Sequence, residues 1–429
     1  MRGKFFFLLA FLLAGTLSGS AQDKRELSLS QAVEQAVRYN KQLQLSKRDV
    51  DLYREKIREA ISQGLPQLNT TTNYSTNFNY KMLLGTNEIA LEDKLNFTAT
   101  VSQLVFNGEW IVGIKTSRIY SELAEQKADL TEQDVIKSVV DSYFVVLISE
   151  RNLDILKKNL AYLEETLVHV QNQYDMGVLE LTDVSQIKIN VGKLKNSLLS
   201  AERALQVNYN VLRLQLGLNA DADLRLTDQL DNFLRQDDYI KLATQTFDIN
   251  LNSEYRIQAT QLRLQEKVVQ MKKWAYAPTL SAGYSYTKKI ITGGFDMSPN
   301  HAGQLTLSLP LFTGFKRNSA LQQERIILDQ ARIGLSNLDD ALQLNDRQYQ
   351  YDLKNAMENY RLQKEDIEVA RQVLENYQHK YKFGAISSLD LTTANTNYLQ
   401  AESNFTAACL SLFQAKTKLE RLYNILSYE

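Results

Sequence analysis

Few side chains in this 429-residue chain are suited to chemistry: three histidines, His169, His301 and His379, and one cysteine, Cys409. Metal or nucleophilic chemistry would need them clustered, as in a His-Glu-x-x-His run on one helix face or a thiol beside an imidazole. They are scattered without such company, so solvated histidines are expected, and no catalytic residue, metal or cofactor. Gly293-Gly294 reads as a loop pair, not a phosphate cradle. What does repeat is acidic. Asp183 and Asp390 each stand six residues past a glycine, Gly177 and Gly384, and lie 207 residues apart. At the same spacing, Tyr174-Asp175-Met176-Gly177 is matched by Tyr381-Lys382-Phe383-Gly384. An aspartate shortly after a turn glycine caps a helix through its orphan amides and complements the macrodipole. Capping is the expected role of both.

These turns must be carried by helices, and the prolines say where the helices are. All four, Pro66, Pro278, Pro299 and Pro310, fall in two short windows with long proline-free stretches around them. Helix interiors exclude proline, whereas strand starts and loops accept it. The first repeat, 22–218, is read as a helix over 29–63, two strands within 66–107 and a helical hairpin over 109–216. The second, 239–429, repeats this as helix 239–273, strands within 277–312 and hairpin 316–423. An aspartate-rich inter-repeat segment, 219–238, joins them as a linker or equatorial belt. The long helix of each hairpin has about 65 residues, roughly 100 Å at 1.5 Å per residue. Two short helices stacked end to end would match it, as an evenly thick helical tube requires.

Apolar residues at Leu153, Leu156, Leu160, Leu163, Leu167, Val170 and Tyr174 step alternately by three and four, a coiled-coil seam. Val184, Ile187, Val191, Leu194 and Leu198 continue it on the return helix. In the strand windows the period falls to two. Leu305, Leu307, Leu309 and Leu311 alternate with Gln304, Thr306 and Ser308; Leu95, Phe97, Ala99 and Val101 alternate with Asn96, Thr98 and Thr100. Such alternation suits a membrane barrel with a wet lumen or a soluble sheet over a core. Trp110 and Trp274 lie where strand meets long helix, a place membrane-interface aromatics favour. Four strands cannot close a barrel, since the smallest have about eight. An open edge in lipid leaves backbone groups unpaired. Membrane strands here therefore demand a symmetric oligomer, of a copy number the spacing leaves open.

Residues 1–21 read as a secretory signal: Arg2 and Lys4, an apolar run Phe5 to Leu13, and small residues Ser18-Gly19-Ser20-Ala21. Removing those two cations from 49 basic residues leaves 47 against 50 acidic ones, a net of −3. That excludes a basic nucleic-acid footprint and a polybasic membrane patch. One cysteine excludes an intrachain disulfide, so packing or oligomerisation must supply stability.

At this point the ordered set of segments resembles the TolC family of outer-membrane efflux proteins over nearly the whole chain. The resemblance rests on Gly64-Leu65-Pro66-Gln67-Leu68 and Tyr276-Ala277-Pro278-Thr279-Leu280 entering the strand pairs. Leu104-Val105-Phe106-Asn107-Gly108 and Pro310-Leu311-Phe312-Thr313-Gly314 leave them, and the two tip turns complete it. It implies an α/β membrane protein: a homotrimer whose twelve-stranded β-barrel continues into a twelve-helix periplasmic α-barrel. It implies passive export, as the exit duct of an efflux pump or type I secretion system. The implied partners are a periplasmic adaptor, an inner-membrane transporter reached through it, and outer-membrane lipid. It implies adaptor docking at tip residues Gly177, Val178, Leu179, Gly384, Ala385 and Ile386. Asp390 matches the first of the family's usual pair of constriction aspartates; the second position is Thr393, and Ile386 replaces a frequent arginine. Tyr381 and Asp183 match positions that latch the closed tip by hydrogen bonding. The loops around 80–93 and 290–300 would face outside the cell. The competing reading is a soluble periplasmic coiled-coil adaptor, which normally carries one hairpin and an N-terminal anchor.

Overall fold

Two helices set the scale of the molecule: α3, Gly108–Asp175, and α7, Lys316–Lys382, of 68 and 67 residues. A computed structural model describes residues 25–76, 78, 80–84, 87–90, 93–234, 236–291 and 298–426. The signal segment expected at 1–21, the pair Gly293-Gly294 and parts of both expected outer loops lie outside the described residues.

In chain order, β1 (Arg25–Leu27), α1 (Leu29–Tyr39) and α2 (Lys41–Ser62) precede a strand region: β2 (Gln67–Ser75), β3 (Lys81–Leu84), β4 (Asn87–Ala90) and β5 (Lys94–Phe106). Then come α3, α4 (Leu181–Gln215), β6 (Leu224–Leu226), α5 (Gln236–Ala243) and α6 (Ser253–Trp274). Strands β7 (Thr279–Ile291) and β8 (His301–Ser308) lead into α7 and α8 (Ser388–Tyr423). Among the described residues no helix is long and apolar enough to cross a membrane.

The helix expected over 29–63 is two helices. Asn40 breaks it: its φ and ψ are −63° and 125°, and its side chain accepts from the amides of Gln42 and Leu43 at 2.9 and 3.2 Å. The helix expected over 239–273 is also divided, into α5, a 3-10 turn capped by Asp248, and α6 capped by Asn252. The two asparagines do equivalent work. Asn40 Nδ2 donates to the carbonyl of Gln215 at the end of α4 (2.8 Å); Asn252 Nδ2 donates to that of Leu422 at the end of α8 (2.9 Å). Just beyond each carbonyl a residue with positive φ turns the chain, Gly217 at +67° and Asn424 at +58°. At Gly217 a Cβ would stand 2.3 Å from the Tyr39 carbonyl oxygen, so glycine is demanded by close approach as well.

The segment expected as a linker or equatorial belt, 219–238, contains β6, which pairs in parallel with β1. Asp228 then receives the amide of Leu29 at 2.7 Å and the hydroxyl of Tyr143 at 2.8 Å. Around this belt lies the main core. Val139, Val140, Tyr143 and Val146 of α3, Leu212 of α4 and Leu419 of α8 are all buried there. The rings of Phe144 and Phe413 stack at 3.8 Å, with Phe233 edge-on to Phe144. Burying each such ring stabilises the fold by about 1.5–3 kcal/mol. Arg421 of α8, bridging Asp134 of α3 and Glu254 of α6, ties the same level together.

Strands β2, β5, β7 and β8 form one antiparallel sheet in the order β2-β5-β7-β8. Register sorts the side chains into two faces. Leu68, Val101 and Tyr284 stand in one cross-strand row; Gln67, Ser102 and Gln304 stand in the adjacent row on the opposite face. Thr98 and Thr287 exchange a 3.0 Å hydrogen bond on the polar side. Strand β8 stops at Ser308, short of the expected 312, because Pro310 has no amide to pair. Leu309, Leu311 and Phe312 follow it as exposed residues. β3 and β4 form a separate hairpin.

Candidate functional site: the paired helical tips

Both long helices end in the same turn. At the first, Gly177 has φ +76° and the amide of Val178 returns to the carbonyl of Gln173 at 2.9 Å. At the second, Gly384 has φ +66° and the amide of Ala385 returns to Lys380 at 3.0 Å. Each is the C-terminal cap in which a left-handed glycine lets the chain satisfy carbonyls of the last turn. The return helices then pack along the seams. Leu160, Leu163 and Val170 of α3 bury against Val184, Ile187, Val191 and Leu194 of α4. Leu374 of α7 buries against Leu391 and Ala394 of α8.

The first turns of α4 and α8 differ. Asp390 forms a capping box with Ser387: its amide donates to Ser387 Oγ at 3.2 Å, and its carboxylate accepts the Ser387 amide at 3.1 Å. The Ser387 hydroxyl hydrogen bond, then the amide one, hold the Asp390 carboxyl below its ordinary value. Asp390 is exposed. Asp183 makes no box; Glu180 at the cap of α4 provides no side-chain cap bond. Instead Asp183 Oδ1 accepts the hydroxyl of Ser388 from the other hairpin. Two turns further up, Asn190 Nδ2 donates to Thr392 Oγ1 at 3.0 Å. These polar bonds join the hairpins at the tip.

Of the two residues expected to latch the tip by hydrogen bonding, Asp183 makes a bond between the hairpins and Tyr381 makes none. Ser388, the first residue of α8, is only 6% exposed and points into the gap between the hairpins, so it takes the carboxylate. The ring of Tyr381 lies between the two seams, packed against both. Its hydroxyl is buried with no hydrogen-bond partner. Burial first, then the charge of Asp183, raises its pKa. Thr393 donates to the Leu389 carbonyl at 2.9 Å and adds no charge beside Asp390. Of the six docking positions, Val178 and Ala385 are exposed, whereas Leu179 and Ile386 pack onto the seams. The apolar surface is instead completed by Met176, Leu181, Phe383 and Leu389, with Phe383 87% exposed. Apolar residues flanking a turn glycine were the available clue.

Trp110 and Trp274 occupy the strand–helix junctions. The Trp110 indole nitrogen donates to the Ala60 carbonyl at 2.8 Å, and its ring fills the space a Cβ on Gly64 would need. Trp274 covers Gly108 in the same way and meets Phe106 edge-on. The histidines remain apart. His169 stands 3.8 Å from Glu165, and His301 pairs with the Tyr284 hydroxyl at 2.7 Å. Among the described residues no group of three or more His, Cys, Asp or Glu could hold a metal ion.

A strand pair, a long helix, a glycine turn and a return helix occur twice in one chain, and the two strand pairs share one antiparallel sheet with open edges. The sequence pattern of the outer membrane efflux protein family matches residues 32–218 and 251–424. The chain belongs to the outer membrane efflux protein family. It is 22% identical to outer membrane protein TolC of Vibrio cholerae serotype O1 over 441 residues, 96% of this chain and 93% of that one. Against TolC of Escherichia coli K12 the identity is 23%, covering 94% and 83%. The fold is shared with the Campylobacter jejuni CmeC outer membrane channel: TM-score 0.75, 15% identity, 92% of this chain and 85% of that one. The protein is thus an outer-membrane efflux channel component whose helices form a periplasmic extension. The family is one of transport ducts, not of enzymes.

Proposed function

We propose that three copies assemble β8 against β2 of the next subunit, closing a twelve-stranded barrel continuous with a helical tunnel of twelve helices. The observation that carries this is the sheet β2-β5-β7-β8 itself, whose edge strands β2 and β8 have, among the described residues, no strand partner on their outer sides. In lipid those backbone groups must be paired, and pairing with further copies achieves it. The register supports a polar lumen lined by Gln67, Ser102, Thr98, Thr287 and Gln304, and Leu68 and Val101 toward lipid. Trp110 and Trp274 then lie at the periplasmic membrane interface. The duct passes cargo passively from a periplasmic adaptor fed by an inner-membrane transporter. The adaptor docks on the tips, at Val178, Leu179, Ala385, Ile386 and the apolar side chains beside them. The tips close the tunnel, Asp183 and Ser388 hold each subunit's hairpins together, and Asp390 adds negative charge at the mouth.

Fractionation with native mass spectrometry tests this. The protein should sediment with outer membranes, need detergent for release and give a trimer that conducts in planar bilayers. Recovery as a monomer from detergent-free periplasmic extract would instead support a soluble adaptor or scaffold.

A further inference from the structure

Between the equatorial core and the tips, α3, α7 and α8 line an open cavity of about 510 Å³. Its walls carry the cations Arg151, Lys158 and Arg371 and the carboxylates Asp154, Glu375 and Glu402, so the formal charges balance. Two of its polar groups are buried and incomplete. Glu402 is 7% exposed; its Oε1 accepts the Tyr398 hydroxyl at 2.8 Å, but Oε2 has no hydrogen-bond partner. Arg151 Nη2 forms an ion pair with that oxygen at 3.9 Å, too long to supply it with a hydrogen bond. Asn159 is also 7% exposed, and its amide nitrogen has no acceptor. A buried carboxylate oxygen demands a donor, and a buried amide demands an acceptor, because each has lost its water.

The complement of this pattern is a neutral molecule with a cation at one end and an anion at the other. Its length follows from α3. Arg151, at the level of Glu402, and Asn159 are eight residues apart, about 12 Å along the helix. Ile155, Tyr162 and Leu374 supply apolar wall for a short chain between the two ends. We propose that this cavity is a binding site for a small zwitterion, an ω-amino carboxylate or a dipeptide. Its ammonium donates to Glu402 Oε2, and its carboxylate accepts from Asn159 Nδ2 with Lys158 alongside. The site goes beyond the duct reading and does not depend on it: it lies in the helical wall and bridges the first hairpin to the second.

The test is isothermal titration calorimetry of the detergent-solubilised full-length protein with 6-aminohexanoate, and with n-hexylamine and hexanoate as one-ended controls. The zwitterion should bind more tightly than either control. Glu402→Gln should weaken 6-aminohexanoate and hexylamine by about tenfold and leave hexanoate unchanged, the loss expected for one charge-assisted hydrogen bond. Asn159→Ala should weaken 6-aminohexanoate and hexanoate and spare hexylamine. If Glu402→Gln does not fold, the Asn159→Ala pattern with the two controls decides alone. No measurable binding of 6-aminohexanoate, or binding indifferent to either change in variants with intact circular dichroism, overturns the proposal and leaves water as the only occupant.

Discussion

Replacing Asp183 by alanine should loosen the tip. The carboxylate is the acceptor for Ser388, which is almost fully buried, so its loss strands a hydroxyl between the hairpins. A charge-assisted bond contributes about 1.5–3 kcal/mol, and Asp183 is half-buried, so solvent trims this to about 1–2 kcal/mol per subunit. That corresponds to a shift of about 5- to 30-fold in the balance between joined and separated hairpins. Single-channel conductance in planar bilayers reads it as a larger mean conductance or a greater open fraction. Ser388→Ala should do less, because the half-exposed carboxylate can return to water. Tyr381→Phe should do almost nothing, since its hydroxyl has no partner to lose. Equal conductance for Asp183→Ala and wild type, with the oligomer intact, would refute the reasoning. So would Tyr381→Phe opening the channel as far as Asp183→Ala.

Three further outcomes are expected. Asn252→Ala removes the cap of α6 and the donor to Leu422, so it should destabilise by about 1–2 kcal/mol and lower Tm in thermal melts. Phe413→Ala removes the ring stacked on Phe144 and should cost about 3–5 kcal/mol in denaturant unfolding. The Asp390 carboxyl is lowered in the folded state, so its capping contribution is present above the ordinary carboxylate value and is lost as pH falls through the lowered one. Protection of the first-turn amides of α8, measured relative to their intrinsic exchange, should therefore persist at pH 4 and fall only in stronger acid. Asp390→Asn should abolish that dependence.

What the sequence revealed was what has a period. The heptad residues Leu160, Leu163, Val170, Val184 and Ile187 are the buried seam, and the alternation across Phe97, Ala99 and Val101 is the split between sheet faces. The family itself was legible because these patterns recur in order, twice. Contacts without a period were not. Ser388 meets Asp183 from 205 residues away, and nothing around either residue announces the other. Asn40 and Asn252 sit within polar, helix-compatible stretches, where a side chain that caps a break looks like one facing solvent. The short β1–β6 pair escaped notice because three residues are too few to show alternation. Leucines 309 and 311 continued an alternation that the backbone abandons at Pro310.

The stacked rings of Phe144 and Phe413 have a mechanical corollary. From Phe413 to Asp390 the chain runs along α8 for about 35 Å, while the hairpins meet at the far end through two polar bonds and the ring of Tyr381. The second hairpin is then a lever whose fulcrum is an aromatic pair. Rotating it by about 10° there sweeps its end through about 6 Å, more than the width of a helical turn's rise. On the proposed closure at the tips, packing angles at this ring pair set the aperture from a distance. Substitutions that tilt the Phe144 or Phe413 ring by a few degrees should alter conductance while every residue at the mouth stays as it was.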